Sequence, residues 1–351
     1  MSHLMGWLCH YTPVEILTAL GYTPYRLLGR EGNNPLATTY LVGNLCPYVQ
    51  SCLEAAIRQE LPPLDGVVIA RSCNAMIHLA NIWPHYGAGG KTIVLDVPRR
   101  LNEDAIFYFS QNLRQLTVEA ALAGQHQLDE KRLWAAITWW EEQRTTWRRL
   151  LTRRAAGEEP PAGKAIMDGL SRWQTSLSLQ EVDKLEDVIT RPAHHLRGKA
   201  TSQPRLLLVG SILPWELITI VEEYGGLSVF EDSCNGRRLL LDPTITAIGE
   251  GDPYLYLARL YLESPPCPRM VSDREKRRRY WAAIVDQFPI QGIIYHVMKF
   301  CDAALYDFLD LKVFCEKREL PLLRLDGDFS GGNRGQWQTR LEAFLEMLEV
   351  R

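Results

Sequence analysis

The strongest constraint on the fold is a set of short, apolar, β-branched runs that occur in two separate parts of the chain and alternate with helical patterns. Gly66–Ala70 (GVVIA) and Thr92–Asp96 (TIVLD) are the clearest such runs in the first part. The pattern returns later, with predicted strands at Arg205–Val209, Leu227–Phe230, Gly292–His296 and Pro321–Leu325. Buried strands that alternate with helices are typical of parallel sheets, so the sequence predicts an α/β fold with one parallel sheet in each part.

The stretch between these two parts has a different character. Strand patterns are absent, and apolar residues such as Leu133 and Ile137 recur at helical spacing. Gly157–Pro161 interrupts this helical pattern. The sequence therefore predicts three regions, which are an N-terminal α/β domain over residues 1–102, a helical connector or cap over 103–198, and a C-terminal α/β domain over 199–351.

Bulk charge and hydropathy exclude several classes of protein. The formal net charge of -3 gives no reason to expect a nucleic acid or an anionic membrane as partner. Two basic runs, around Arg148–Arg154 and at Arg274–Arg279, lie in helical patterns that contain Glu, and we expect them to be solvated helix faces. No apolar run approaches the roughly 20 residues of a membrane span. The N-terminus lacks the features of a signal peptide, which predicts a cytoplasmic location.

The eight cysteines are the residues that point most directly to a function. A reducing compartment makes disulfides improbable, so they are either buried thiols or metal ligands. Cys73, Cys234 and Cys301 each follow a predicted strand, and ligands of open parallel sheets bind beyond the carboxyl ends of the strands. Thiolate sulfur is the preferred ligand of iron–sulfur clusters and zinc, but the chain has no Cys-x-x-Cys spacing. From the positions of these cysteines alone, they can be either metal ligands or free buried thiols.

The other five cysteines divide into two kinds by their surroundings. Cys46 precedes a proline at the predicted start of a helix, where the thiolate form is favoured. Cys267 lies in a stiff Pro-Pro-Cys-Pro segment, and Cys9 comes shortly before the first predicted helix. Cys52 and Cys315 fall inside helical patterns, so we predict that these two are structural.

Two further segments have polar residues that suit either a site or a local structural role. Thr12 and Glu15 have the spacing of a capping box, so Glu15 is both a candidate active-site carboxylate and a helix-start residue. Gly327–Gly335 is glycine-rich and follows a strand, but it lacks the G-x-G-x-x-G and P-loop patterns. A flexible loop is the preferred interpretation of that segment, and a cradle for a coenzyme A phosphate is the alternative.

Seven phrases, in order along the chain, resemble the 2-hydroxyacyl-CoA dehydratase D-component family. They are GWLCHYTPVEI at 6–16, CPYVQSC at 46–52, LDGVVIARSCNAM at 64–76, EDSCNGRR at 231–238, PPCPRM at 265–270, IIYHVMKFCD at 293–302 and GQWQTRLEAF at 335–344. This family includes dehydratase subunits, benzoyl-CoA reductase subunits and double-cubane cluster proteins. The resemblance is weakest in the helical region, and it implies two Rossmann-like parallel-sheet domains with a helical insert between them.

The resemblance also implies an iron–sulfur cofactor in the cleft between the domains. In dehydratases of this kind a 4Fe-4S cluster is held by three cysteines, which match Cys46, Cys73 and Cys301. Cys9, Cys234 and Cys267 also stand in family-like phrases. Six such cysteines match the needs of a double-cubane 8Fe-9S cluster, which has two cubanes with three thiolates each.

Several functions follow from the resemblance as expectations. We favour a reductase-type protein or subunit that receives low-potential electrons from an ATP-hydrolysing iron–sulfur activator. The alternatives are a subunit of a 2-hydroxyacyl-CoA dehydratase, which eliminates water by a radical route, or of a benzoyl-CoA reductase, with an acyl-CoA as possible substrate. Two further functions are also compatible with the sequence. The first is a non-catalytic subunit that carries electrons or serves as a scaffold, and the second is an α/β binding protein without metal. A homodimer, or a heterodimer with a homologous subunit, is expected.

His296 and Lys299 lie close to Cys301 in the sequence. Beside a cluster they would tune it or donate protons, which makes them candidate catalytic residues together with Glu15. The alternative is that His296 ends a strand and that Lys299 points to solvent.

Overall fold

The computed structural model describes residues 3–124, 129–156, 163–183, 203–242, 248–270 and 274–349. The strands within these ranges are β1 (Leu4–Trp7), β2 (Thr23–Arg26), β3 (Gly66–Ala70), β4 (Lys91–Leu95), β5 (Arg205–Gly210), β6 (Leu227–Asp232), β7 (Gly292–Met298) and β8 (Leu322–Gly327). The helices are α1 (Val14–Ala19), α2 (Ala37–Tyr40), α3 (Pro47–Ile57), α4 (Asn74–Tyr86), α5 (Glu103–Gly124), α6 (Glu130–Ala156), α7 (Gly163–Gln174), α8 (Leu179–Asp183), α9 (Trp215–Glu223), α10 (Pro253–Glu263), α11 (Arg274–Gln287), α12 (Asp302–Lys317) and α13 (Arg334–Glu349). A 3-10 turn covers Arg237–Leu240.

The strands form two four-stranded parallel sheets with the same strand order. The first has the order β2-β1-β3-β4 and the second β6-β5-β7-β8, and every paired strand is parallel to its neighbour. The predicted α/β fold with two parallel sheets is therefore confirmed. In each sheet the order reverses beside the first strand, between β1 and β3 and between β5 and β7. Such a switch point opens a crevice at the carboxyl ends of the strands, where ligands of this fold class bind.

The strand β1 is central to the first sheet, yet the sequence does not predict it. Its four residues, LMGW, are all buried and pair with β2 on one side and β3 on the other. The segment is short, has no β-branched residue and contains a glycine, so it lacks the composition by which strands are recognised. Gly6 is needed there, because a Cβ atom at this position would lie about 3.0 Å from Leu27 and Val67 side chains.

The second part of the chain contributes to the core of the first. Helix α10 packs along α5, and Leu257 and Leu260 share one apolar cluster with Ile106 and Leu113. The loop that carries Cys267 directly follows α10, so this packing brings it to the first sheet. The predicted division into three regions stays a prediction, and the expected break at 157–161 lies outside the described residues.

The helix-start prediction at Thr12 is wrong. Helix α1 begins at Val14 behind Pro13, and no side chain caps it. The Glu15 carboxylate does not turn back toward residue 12, because it is fully buried in an ion pair with Arg144, at 2.6 Å. A buried cation is therefore the partner of this carboxylate, in place of the N–H groups of the helix end.

The expectation that the two basic runs are solvated is wrong for two of their members. Arg154 is buried and pairs with Glu222. Arg277 is buried against Asp232 and Asp307. Helices α5 to α8 lie in the described part of the predicted helical region, which ends at residue 183. Among the described residues, none of the helices combines the length and apolar character needed to cross a lipid bilayer.

Candidate metal centre

Six of the eight cysteines come together at the carboxyl ends of the two sheets. Cys9 follows β1, Cys73 follows β3, Cys234 follows β6, Cys301 follows β7, Cys46 precedes α3 and Cys267 follows α10. The Arg26 guanidinium at the end of β2 crosses between the sheets and donates to the backbone oxygen of Cys234 at 2.9 Å. Thiols from residues 9 to 301 therefore share one site, and the fold rather than local spacing assembles them.

Cys46, Cys73 and Cys301 form the helix-end group. Each occupies the N-cap position of a helix, of α3, α4 and α12 respectively, and backbone N–H groups of the first turn point toward each sulfur. Burial nevertheless raises the pKa of all three thiols, to about 11 for Cys73. The nearby Cys301 and Cys73 thiols raise the pKa of Cys46 further. Burial and mutual repulsion thus outweigh the helix ends, and the three thiols are held close without a cationic side chain among their main partners.

Cys9, Cys234 and Cys267 form the loop group, which is built around His10. One ring nitrogen of His10 and the sulfurs of Cys234 and Cys267 lie within 4.8 Å of one another, a spacing suited to a metal ion. The Cys267 thiol, as hydrogen-bond donor, lowers the pKa of Cys234 well below its usual range, and its own pKa is raised in turn. Burial alone would raise the pKa of Cys9, but hydrogen bonds from His10 and Ser72 lower it.

The pKa of His10 is raised by the same sulfur neighbours whose pKa values it lowers. Burial disfavours its charged form, but hydrogen bonds to Cys234 and Cys9 raise the pKa of the imidazole to about 9. The side chain is only 4 % exposed. A buried imidazolium beside two thiols favours thiolate, the form that binds metal.

A buried ion network holds the loop group from the second sheet. Arg238 lies 3.5 Å from the Cys234 sulfur through Nη1 and 2.6 Å from Asp232 Oδ1 through Nε. Arg277 also reaches Asp232, at 3.1 Å, and binds Asp307. Burial would raise the pKa of Asp232, but the two guanidinium groups lower it, so the carboxylate stays charged and fixes Arg238 against the sulfur.

Two serines connect the groups to the strand ends. Ser72, which follows β3, lies beside Cys9, and Ser211, which follows β5, lies beside Cys301; each serine lowers the pKa of its thiol, against the effect of burial. The two groups are close enough to affect each other, because Cys9 raises the pKa of Cys73 and Cys234 raises that of Cys301. The six thiols therefore make two neighbouring sets of three.

The remaining two cysteines lie elsewhere in apolar surroundings. Cys52 is fully buried in α3 beside the Leu27 carbonyl, at 3.7 Å, and burial raises its pKa to about 12. Cys315 is 2 % exposed in α12 and packs in the core of the second sheet. Soft thiolate donors in two sets of three suit iron–sulfur clusters, so the donor set of the other six fits such a cofactor.

The three predicted catalytic residues lie apart from one another. His296 is fully buried on β7, edge-on to Trp337, and burial lowers its pKa to about 4, so it is neutral. Lys299 is half exposed and pairs with Asp328 at 2.7 Å. Glu15 binds Arg144 and accepts a hydrogen bond from the Tyr261 hydroxyl at 2.8 Å. The structure thus pairs Lys299 and Glu15 with other side chains, leaves both ring nitrogens of His296 without a hydrogen-bond partner, and does not bring the three into one set.

The glycine-rich segment 327–335 is held together by hydrogen bonds to the carboxylate of Asp328. Asp328 accepts hydrogen bonds from the Ser330 backbone N–H at 2.9 Å and from Asn333 Nδ2 at 3.0 Å. Together with Lys299, these donors keep the pKa of Asp328 low although burial raises it. A phosphate at this place would meet a carboxylate, which argues against the phosphate-cradle alternative.

Two cavities flank the six thiols. One of about 330 Å³ is lined by Cys73 together with the first residues of α12 and by Arg99, Arg269 and Arg274. The other, of about 180 Å³, lies between the loop after β2 and the start of α9, where Trp215 and Phe329 line it. Cys73 stands in the wall of the first cavity, whereas the wall of the second contains none of the six cysteines.

The sequence does not identify His10, Arg238, Ser72 or Ser211 as site residues. Three of them stand inside the cysteine phrases, as in Cys9-His10 and in the spacing of four between Cys234 and Arg238, but Ser211 lies outside all of these phrases, directly after β5. A search for polar residues next to the candidate cysteine ligands in the sequence would have found those that stand inside these phrases.

Comparison with known proteins gives one family over nearly the whole chain. The model of the family described as 2-hydroxyglutaryl-CoA dehydratase, D-component, matches residues 9–348. The (R)-phenyllactyl-CoA dehydratase beta subunit of Clostridium sporogenes is 24% identical over 349 residues, which is 98% of this chain and 91% of that protein. The lactoyl-CoA dehydratase subunit beta of Anaerotignum propionicum is 23% identical over 353 residues, with 96% and 90% covered. A benzoyl-CoA reductase subunit of Thauera aromatica is 23% identical over 324 residues, with 89% and 82% covered.

Proposed function

This chain belongs to the 2-hydroxyglutaryl-CoA dehydratase D-component family, and from that premise we propose that it is a low-potential iron–sulfur protein with a double-cubane cluster held on six cysteines. The observation that supports this most directly is the gathering of the six thiols into two sets of three. Relatives named as dehydratase or reductase subunits support an enzyme-associated role.

The two groups of thiols suggest how the ligands divide. The helix-end group would hold one cubane and the loop group the other, and the contacts Cys9–Cys73 and Cys234–Cys301 would lie where the two cubanes meet. A cluster bound there supplies single electrons at low potential. The chain's own residues would favour the thiolate forms of Cys9 and Cys234 in the loop group and shield the helix-end group from water by burial.

Electron supply and assembly follow from family membership as proposals. An ATP-hydrolysing iron–sulfur activator would deliver the electrons, and the protein would work as a homodimer or with a homologous subunit. An exposed apolar stripe on α12, formed by Leu305, Leu309 and Val313, starts one turn beyond Cys301 and supports such a contact surface. A cytoplasmic location and the absence of nucleic-acid and membrane partners stay predictions.

Anaerobic purification followed by iron and sulfide analysis and EPR spectroscopy tests the cofactor. Two cubanes require about eight irons per chain and one cubane about four. A protein without iron and sulfide, after anaerobic reconstitution, contradicts the proposal. Reduction of the cluster that requires both the activator and ATP supports the proposed electron supply, and equal reduction without ATP contradicts it.

A single-cubane subunit of a 2-hydroxyacyl-CoA dehydratase or benzoyl-CoA reductase is the second candidate. It is favoured by the closeness of Cys46 to both Cys301 and Cys73, which raise its pKa, and by the names of the relatives. The variant Cys267→Ala separates the two. Its iron content falls by about half if the loop group holds a cubane and is unchanged if the helix-end group alone is loaded.

Roles in proton transfer for His296, Lys299 and Glu15 stay proposals. His296 is the one of the three whose buried ring nitrogens have no hydrogen-bond partner, but burial lowers its pKa to about 4, which disfavours it as a proton acceptor. A His296→Gln variant that keeps full iron content and full turnover would remove it from the mechanism.

A further inference from the structure

A small cavity lies directly behind His10 of the loop group. Its volume is about 20 Å³, and it lies between the end of β1, the segment before α1, and helices α6 and α7. His10 forms part of its wall, and the same ring contacts the Cys9 and Cys234 thiols. Whatever occupies this cavity is therefore one side chain away from the candidate metal ligands.

Apart from His10, whose Nδ1 is also buried without a hydrogen-bond partner, four side chains of the cavity wall have a buried polar atom that lacks such a partner. They are Trp7 Nε1, Thr12 Oγ1, Arg144 Nε and Trp173 Nε1. Their side chains are at most 5 % exposed. Buried polar groups in folded proteins are almost always paired, and leaving one unpaired is costly. Four such atoms around one cavity indicate a missing partner rather than four separate defects.

The chemistry of these atoms defines what the partner is. The two indole nitrogens and Arg144 Nε can only donate hydrogen bonds, and the Thr12 hydroxyl can donate or accept. A bound group must therefore accept at least three hydrogen bonds. A metal cation is excluded, since three N–H donors and a guanidinium would face it. A cavity needs about 10–15 Å³ to hold one water molecule, so this one takes one or two waters or a single ion of that size.

We propose that this cavity is a binding site for a small hydrogen-bond acceptor, either water or a halide-sized anion, held by Trp7, Trp173, Thr12 and Arg144. The charge of Arg144 is largely balanced by Glu15, at 2.6 Å, so the site is close to neutral and water is the ordinary occupant. Its position behind His10 gives the loop group a buried polar molecule that is separate from the two larger cavities. This proposal does not depend on which cluster the cysteines hold.

The direct test is a pair of anaerobic crystal structures of the full-length, metal-loaded protein, one grown in sodium chloride and one in sodium bromide. We expect a density peak within hydrogen-bond distance of both Trp7 Nε1 and Trp173 Nε1. An anomalous signal at the bromine edge identifies an anion, and a peak without that signal identifies water. A cavity without density, or indole N–H groups that donate to protein acceptors instead, overturns the proposal.

A matched pair of variants tests the role of the unpaired donors. Trp140 lines the same cavity, but its indole N–H already donates to Thr18 Oγ1 at 2.9 Å. Trp173→Phe should reduce the occupancy of the peak to less than half, whereas Trp140→Phe should leave it unchanged. Equal loss in both variants would mean that shape, not the missing hydrogen bond, creates the site. If Trp173→Phe does not fold, Thr12→Val removes another partner at lower structural cost and has the same expected outcome.

Discussion

The helix-end group and the loop group use the same side chain in opposite electrostatic settings. The first has sulfurs at the starts of three helices, and burial raises the pKa of each thiol. The second has sulfurs on loops, where His10 and Arg238 help lower the pKa of Cys9 and Cys234. The difference teaches that side-chain hydrogen-bond donors and buried cations, and not helix ends, favour the metal-binding thiolate form, since Cys267, His10 and Arg238 all lower the pKa of Cys234.

The largest effect should come from removing a ligand of the helix-end group. Cys301→Ala should cost about half of the iron or more, since a cubane held by three thiolates is left with two. Cys315→Ala, fourteen residues further along the chain, is the control and should retain wild-type iron, which is measured with a colorimetric iron assay after anaerobic purification. Equal iron in both variants would remove Cys301 from the ligand set.

The next largest effect should come from the ion network that supports the loop group. Arg238→Met leaves Asp232 with one guanidinium fewer, and breaking a buried pair of this kind costs about 3–5 kcal/mol of unfolding free energy. Arg318→Met breaks the exposed pair with Asp286 and should cost at most about 1 kcal/mol. Anaerobic urea unfolding followed by circular dichroism gives both values. A loss for Arg238→Met no greater than that for Arg318→Met would show that the network is not needed for stability.

A smaller effect should appear in thiol reactivity after the metal is removed with a chelator. At neutral pH, Cys9 and Cys234 should be alkylated several times faster than Cys46 and Cys73, because a lowered pKa increases the thiolate fraction and a raised pKa decreases it. Mass spectrometry of peptides from a short alkylation gives the ratio. His10→Gln should bring the two groups closer together, and an unchanged ratio would rule out His10 as the cause.

The smallest effect should come from the two serines. Ser72→Ala removes one contact of Cys9 and Ser211→Ala one contact of Cys301, each worth about 1 kcal/mol. We expect each variant to release iron to a chelator about fivefold faster than wild type, with the change confined to the EPR signal of its own group. Identical changes in both signals for both variants would mean that the six thiols hold one undivided cluster.

Much of the fold could be predicted from the sequence because most of its predicted strands are short apolar runs that stand between clear helices. Gly66–Ala70 is predicted with its observed bounds, but β1 is missed because LMGW has no strand composition. The strand ends predict the positions of Cys73, Cys234 and Cys301. Interactions between residues far apart in the sequence could not be predicted, because no local pattern indicates them. The ion pair between Glu15 and Arg144 is an example.

The buried arginines are a second case in which the local sequence does not indicate the partners of a residue. Arg277 lies in a run of basic residues whose composition is typical of a solvated surface, yet it is buried between two carboxylates. A charge pattern in one segment cannot reveal that its partners lie on two other segments, one of them β6. The loop group consequently depends on residues that only the folded chain brings together.

The packing of α10 on α5 has a consequence for how the protein is made on the ribosome. The first sheet and α5 are synthesised early, but their apolar face stays uncovered until α10, at Pro253–Glu263, has been translated. Cys267 and Cys301 emerge later still, so a nascent chain has no complete set of thiols to offer. Insertion of a cofactor must therefore follow release of nearly the whole polypeptide, and a chain stopped early would expose an aggregation-prone surface instead of a half-built protein.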